Sequence, residues 1–311
     1  MNALRKILLG LSALAIASAA QAAGDKMKPF VLAYKTSGDV ATVENEVKQK
    51  LTNAGFQIAG EYSPYKDAVV IAVTNDALKK NAAQSDFGGY GAAQRVSVTK
   101  NGAGIEVSYT NPSYMAAAYR MKGDLSDVAK QLETALGAQQ EFGSKNGLTD
   151  RKLRKYHYMF GMEYFDDLDA HRLVSHKSYD EAVKTVEANL AKGLGGVTKV
   201  YRIDIPGKQE TVFGVGMKKP DRGDKYMSDE YIMNIIDFQS PKSTAHLPYE
   251  ILVSGKDVYA LYARFRIAID FPDLSMMGDN SFMNIVESPE AIKKALTRVA
   301  GGQVKGDYWQ Q

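Results

Sequence analysis

The stretch 156–167, near the middle of the chain, holds the residue types best suited to chemistry. His157, Met159 and Met162 place an imidazole and two thioethers close together. Soft ligands of this kind suit Cu(I). On a helix, side chains two residues apart point to different sides, so only Met162 would join His157 cleanly. The sequence therefore offers a two-ligand metal site, His157 with Met162, as one hypothesis.

The same stretch has a second interpretation as an apolar binding surface. Met and aromatic side chains at this spacing fill the seam between domains more often than they hold a metal. They also form a natural wall for a ligand pocket or a dimer interface. We therefore favour binding of a small molecule or a protein partner, with a homodimer as a further alternative. The ligand-binding residues expected from this interpretation are Tyr156, His157, Met159, Phe160, Met162 and Tyr164.

Carboxylates follow the aromatic residues directly. Asp166 and Asp167 could serve acid/base chemistry beside His157, which is the alternative hypothesis of a metal-dependent or redox accessory protein. Together with Asp169 they could also bind a hard cation. The run lacks the Gly and the terminal Glu of an EF-hand loop, so a solvated helix end is the favoured interpretation.

The rest of the chain offers no catalytic constellation. No Ser lies in a G-x-S-x-G motif, and the spacing of His171 and His176 is not that of H-E-x-x-H. We expect these two to be surface or capping residues, and His246 is isolated in the sequence. We therefore interpret the chain as a protein that is not an enzyme and needs no cofactor. A second methionine cluster, expected to be a loop with core-facing side chains, comprises Met276, Met277 and Met283.

An internal repeat indicates which elements position these residues. Apolar residues recur at steps of three and four in two segments 143 positions apart, which predicts two equivalent amphipathic helices. In both copies a Gly-containing turn, a short strand, a Pro-containing turn and an apolar strand follow. The apolar residues of the helices are Val40, Val43, Val47 and Leu51 in the first copy, and Val183, Val186, Leu190 and Leu194 in the second.

Local signals define the boundaries of the predicted elements. Asp39 can cap the first repeated helix and Ser178 the second. Asn101-Gly102 indicates a hairpin, and Asn111-Pro112 a helix start. Thr149 can cap a helix that begins at Asp150 and continues into the aromatic stretch. Strands are predicted at 249–253 and 258–269, and Ser288-Pro289 should begin the last helix.

The pattern resembles the bacterial family known as domain of unknown function 302. The resemblance is carried by Lys35-Thr36-Ser37 before the first repeated helix, by Gly55-Phe56 at its end, and by the stretch Arg95 to Pro112. It covers the first copy better than the second, where Gly55-Phe56 becomes Gly196-Val197. The resemblance implies a small α+β domain, here in tandem, and it transfers no catalytic residue.

Residues 1–22 have the features of a signal peptide. Arg5 and Lys6 precede an apolar segment too short to span a bilayer as an anchor, and Ala20-Gln21-Ala22 is an A-x-A cleavage site. We expect export to the periplasm, with no integral membrane segment after removal of the signal. Loss of the two cations takes the formal charge from +3 to +1, which argues against nucleic acid as a partner. The absence of Cys excludes disulfides and thiolate chemistry.

Together these observations predict an α+β protein of two similar domains, each a mainly antiparallel, roughly four-stranded sheet with helices packed on one face. The predicted boundaries are the signal peptide at 1–22, the first repeat at 23–140, an aromatic-rich helical connector at 141–170, and the second repeat at 171–311. We expect the ligand or partner to bind at the connector, between the domains.

Overall fold

The computed structural model describes residues 25–219 and 224–304 and shows a mixed α+β fold. The predicted signal peptide lies outside these residues. The first half and the connector contain β1 (Lys26–Met27), β2 (Phe30–Thr36), α1 (Val40–Asn53), β3 (Gln57–Tyr62), β4 (Ala68–Thr74), α2 (Asp76–Gln84), β5 (Gln94–Asn101), β6 (Gly104–Thr110), α3 (Pro112–Ala118), α4 (Ser126–Leu136), β7 (Gln140–Phe142), β8 (Leu148–Thr149), α5 (Asp150–Leu153) and α6 (Leu168–His171). The second half contains β9 (Arg172–Ser175), α7 (Tyr179–Ala191), β10 (Val197–Asp204), β11 (Glu210–Met217), α8 (Asp229–Ile236), β12 (Tyr249–Ser254), β13 (Asp257–Tyr259), α9 (Ala263–Asp270) and α10 (Ser288–Val299).

The first half forms a six-stranded antiparallel sheet in the order β3-β4-β5-β6-β2-β7. Helix α1 begins as predicted, because the Asp39 carboxylate accepts a hydrogen bond from the Thr42 amide. Its residues Val43, Val47 and Leu51 are buried against the sheet. Helix α4 lies beside α1 and buries the same kind of apolar stripe.

The second half forms a five-stranded antiparallel sheet in the order β10-β11-β12-β13-β9. Helix α7 is capped by Ser178, whose side chain accepts from the Glu181 amide. It buries Val183, Val186 and Leu190, and α10 packs beside it. Leu194 was predicted on the same helical face, but it lies beyond the end of α7 and is exposed.

Two features of the predicted sheets were wrong. The sheets have six and five strands, where roughly four were expected in each, and β7 extends the first sheet. The predicted long strand at 258–269 is instead the short strand β13 followed by α9. Almost every residue of α9 is buried, so the segment lacks the polar face that distinguishes an amphipathic helix.

The sheet faces that point away from α1 and α7 contact each other. Tyr201, Val212 and Leu252 of the second sheet belong to the same apolar cluster as the core of the first half. The amide of Gly89, between α2 and β5, donates to Glu210 Oε1 over 2.8 Å. The result is a layered structure with helices outside and two sheets inside.

The outermost strands β3 and β10 approach each other closely at the margin of this sandwich. A Cβ atom on Gly60 would collide with the carbonyl group of Val200. Within the second sheet, the ring of Tyr201 on β10 lies against Gly214 on β11, where a Cβ would overlap the ring. Glycine at position 60 is therefore a packing requirement of the contact between the two sheets, and glycine at position 214 is a packing requirement within the second sheet.

Within residues 25–219 and 224–304, no helix combines the length and apolar character needed to cross a membrane.

Candidate functional site

The connector begins as predicted but does not continue as a helix. Thr149 caps α5 by accepting from the Lys152 amide, and the helix ends at Leu153. The hydroxyl of Tyr156 donates to the carbonyl group of Ala268 over 3.0 Å, and Tyr158 donates to the carbonyl group of Leu274. These tertiary hydrogen bonds hold the aromatic stretch along the second half in an irregular conformation, so the helical prediction for it was wrong.

The stretch closes on itself at a neck formed by His157 and Tyr164. Their rings lie 4.4 Å apart between centroids and are tilted by 32°. The carbonyl group of Met159 can only accept, so His157 Nδ1 donates to it over 2.9 Å. Since Nδ1 carries the proton of the neutral ring, Nε2 carries the lone pair and is the nitrogen that could accept a hydrogen bond from a ligand.

Beyond the neck, Met159–Met162 form a tight turn, here named the tip turn. The Met162 amide donates to the Met159 carbonyl group over 3.0 Å. Gly161, at the third position, has φ +81°, which matches the left-handed residue of a type II turn. Phe160 at the second position is 100 % exposed, and Met159 is 42 % exposed.

His171 fastens the far end of the connector and is not the surface residue that the sequence predicted. It is buried, and its Nε2 donates to the carbonyl group of Tyr164 over 2.8 Å. Its Nδ1 accepts from the Tyr262 amide over 3.0 Å. Burial lowers the pKa of His171, so the ring is neutral with both nitrogens occupied.

A groove of about 330 Å³ lies where the connector leaves α5. We name it the basic groove, and its lining residues are Leu148, Arg151, Lys152, Lys155, Tyr156 and His157. Among the residues that the structure describes, none of its three cations has an ion-pair partner. The groove thus concentrates uncompensated positive charge beside an aromatic ring and an imidazole.

A second, open groove of about 800 Å³ includes Gly161 and Met162 of the tip turn among its lining residues. We name it the acidic groove. Its carboxylates are compensated: Glu163 pairs with Arg264, Asp166 with Arg120, and Asp169 with Arg172. The remaining carboxylate, Asp167, accepts from the Tyr164 amide over 2.7 Å. This groove therefore carries little unbalanced charge, although four acids line it.

The structure separates the six predicted ligand-binding residues. Tyr156 and His157 line the basic groove, Met162 lines the acidic groove, and Met159, Phe160 and Tyr164 face solvent. Their role in binding stays a prediction, as does the metal pair of His157 and Met162. In the part of the chain that the structure describes, no group of three or more His, Asp or Glu could hold a metal ion.

The second methionine cluster faces solvent more than the sequence indicated. Met276 is partly buried in the second core, but Met277 is 77 % exposed. Met283 is also exposed, and its amide donates to the Met276 carbonyl group over 3.2 Å. The expectation of core-facing side chains was therefore wrong for Met277 and Met283.

The largest cluster of charged groups was missed by sequence reasoning and lies between the sheets. Arg95 of β5 and Arg266 of α9 both pair with Glu250 of β12, and Arg266 also pairs with Asp270. His246 donates from Nδ1 to Asp270 over 2.7 Å. All five side chains are buried.

The protonation states of this buried cluster follow from its packing. Burial, with Arg266 next, lowers the pKa of His246 to about 4, so its ring is neutral. Burial alone would raise the pKa of Asp270, but Arg266, His246 and Arg95 together outweigh it and lower the pKa, which keeps the carboxylate ionised. This buried charge network connects a strand of each sheet with α9.

Comparison of the chain with models of protein families, with curated proteins and with solved structures found no match in any of the three.

Proposed function

We propose that this protein is a non-catalytic binding protein whose basic groove takes an anionic ligand. The observation that carries the proposal is the set of three cations, Arg151, Lys152 and Lys155, that line one groove without a carboxylate partner among the described residues. Every acid lining the neighbouring acidic groove has such a partner or a backbone donor.

Binding of an anion would remove an electrostatic repulsion that is present in the free protein. Like charges held within a few residues repel one another, and an anion between them turns that repulsion into attraction. Arg151 supplies a fork of donors that matches the oxygens of phosphate or carboxylate, while the lysines act as point charges. His157 adds Nε2, which can accept a hydrogen bond from a donor group of the ligand, because Nδ1 donates to the Met159 carbonyl group.

The volume of the groove limits the size of the ligand. About 330 Å³ is at the lower end of the range for small-molecule sites. This space suits a phosphate or carboxylate group with a small apolar part against Leu148 and Tyr156. The hydroxyl of Tyr156 is already used by the Ala268 carbonyl group, so its ring is the surface available to the ligand.

The proposal includes export to the periplasm and an origin by duplication. Export is supported by the signal-peptide features of residues 1–22. Duplication is supported by the strand orders, because β3-β4-β5-β6-β2 and β10-β11-β12-β13-β9 place successive strands in the same relative positions. The resemblance to the family of domain of unknown function 302 remains a prediction.

Calorimetric titration tests the binding proposal with three probes: inorganic phosphate, tripolyphosphate and citrate. We expect at least one to bind, and the triple variant R151Q/K152Q/K155Q to weaken it by about tenfold or more. A variant with the same change in charge, K177Q/K184Q/K192Q on α7 and its flanks, is the control and should bind like the wild type. Absence of binding by all three probes, or equal loss in both variants, would contradict the proposal.

A further inference from the structure

The tip turn presents a large apolar side chain that the fold itself does not use. Phe160 is 100 % exposed, whereas most other aromatic side chains of the described chain are at least partly covered. Single exposed apolar residues are common on protein surfaces. Phe160, however, stands at the end of a turn together with Met159, and this turn is held in place by specific contacts.

Anchors on both sides of the turn fix its position. On one side Tyr158 donates to the Leu274 carbonyl group, and on the other Met162 packs against the second core. Behind the turn, His157 and Tyr164 close the neck. The exposure of Phe160 is therefore a feature of a defined conformation, and displaying the ring to a partner costs little additional ordering.

The segment that receives Tyr158 also carries exposed apolar side chains. Leu274 lies three residues before Met277, which is 77 % exposed. Met283 is tied back to this segment through the Met276 carbonyl group and is exposed as well. The hydrogen bond from Tyr158 to the Leu274 carbonyl group thus joins the connector beside the tip turn to this methionine segment.

The charge beside this apolar surface determines which partner fits. The connector approaches the tip turn through Arg151, Lys152 and Lys155, whose charges are not balanced. A partner must therefore offer an apolar interior behind an anionic surface. The tip turn is convex, and a bilayer receives a convex group without needing a cavity of matching shape.

We propose that the tip turn docks on an anionic lipid bilayer, with Phe160 inserted among the acyl chains and the cations of the basic groove against lipid phosphates. This inference rests on the proposed function, since the lipid phosphate would be the anion that the groove takes. Apolar insertion and polybasic attraction act together in this form of reversible membrane association.

Vesicle co-sedimentation tests the inference, with vesicles of phosphatidylcholine and phosphatidylglycerol in equal amounts and vesicles of phosphatidylcholine alone. The wild type should bind the anionic vesicles more tightly, and added salt should weaken binding. F160S should reduce the partition coefficient about thirtyfold, because it removes the burial of one aromatic side chain. F238S is the matched control, since Phe238 is an exposed Phe outside the connector.

The variants separate this inference from the proposed function. R151Q/K152Q/K155Q should lose both tripolyphosphate and vesicle binding, whereas F160S should lose vesicle binding only. Wild-type protein that binds tripolyphosphate but no anionic vesicles would overturn the membrane inference and leave the proposed function standing. Equal losses in F160S and F238S would also overturn it, as would a dimer in solution that F160S dissociates without any vesicle binding.

Discussion

Arg95 Nη1 on β5 donates to Glu250 Oε1 on β12 over 2.6 Å, and this bond joins the two sheets. Both side chains are buried. The second oxygen of Glu250 accepts from Arg266 over 3.1 Å, so one carboxylate connects a strand of each sheet with α9. The relative position of the two halves is therefore fixed by charge as well as by apolar packing.

Replacement of Arg95 by Met should destabilise the protein strongly. The substitution removes one partner of a buried pair and leaves Glu250 with Arg266 alone, for which the expected loss is about 3–5 kcal/mol in the free energy of unfolding. Urea denaturation measures this loss. The control is Arg172→Met, which breaks the exposed pair with Asp169 and should cost at most about 1 kcal/mol. Similar losses for the two variants would show that the pair between the sheets contributes little.

Replacement of Asp229 by Asn should change how stability depends on pH. Burial raises the pKa of Asp229 from 3.8 to about 7 in the folded protein. The contribution of such a carboxyl group to the free energy of unfolding is complete below pH 3.8 and is lost as the pH rises to about 7. Asn cannot ionise, so the variant should gain stability relative to the wild type across this window, by up to about 1.4 kcal/mol per pH unit.

The measurement is the difference in unfolding free energy between variant and wild type at several pH values. The difference is needed because His246 acts in the opposite direction: burial lowers its pKa from 6.5 to about 4, so its contribution is lost as the pH falls through that range. Asp237, whose pKa burial also raises to about 7, should behave like Asp229 when replaced by Asn. A difference that stays constant from pH 4 to pH 7 would contradict this prediction.

Replacement of Gly60 by Ala should loosen the contact between β3 and β10. The new methyl group would overlap the Val200 carbonyl group, and one strand must shift to admit it. We expect a loss of about 1–3 kcal/mol in the free energy of unfolding, as for other overpacked positions. Gly104→Ala is the control, because its methyl group would lie 3.4 Å from the Thr36 carbonyl oxygen. Thermal and urea denaturation should show a clearly larger loss of stability for Gly60→Ala than for Gly104→Ala.

Replacement of Tyr164 by Ala should open the neck of the tip turn. The variant loses the ring that stacks on His157, an interaction worth roughly 1 kcal/mol, so local opening should become about fivefold more frequent. Chymotrypsin should then cleave after Phe160 correspondingly faster. Tyr164→Phe retains the ring and should be cut like the wild type. Equal cleavage rates in all three proteins would mean that the neck does not order the turn.

The sequence was sufficient for elements whose local signals agree with their packing. Helix α1 has a capping Asp39 and an apolar stripe at regular spacing, and both features can be recognised from the sequence alone. The connector differs, because Tyr156 and Tyr158 are positioned by carbonyl groups more than a hundred residues away. No local pattern can encode such partners, so the predicted helix ended after one turn.

The sequence contains a signal of the buried charge cluster, but this signal is ambiguous. Glu250 interrupts the apolar strand β12, and Arg95 is the second residue of β5. Strand alternation places both on the sheet face opposite the helices. In a single sheet that face would meet water, and charged residues there would be ordinary. Only the packing of the second sheet against it turns these positions into an interior.

The approach of β3 and β10 also bears on how the protein avoids self-association through its backbone. These strands are the longest at the sheet margins, with six and eight residues, and each shields the other. The opposite margins, β7 and β9, have only three and four residues. Because unpaired strand amides and carbonyls template fibril growth, the fold leaves little exposed edge on which a neighbouring chain could add a strand.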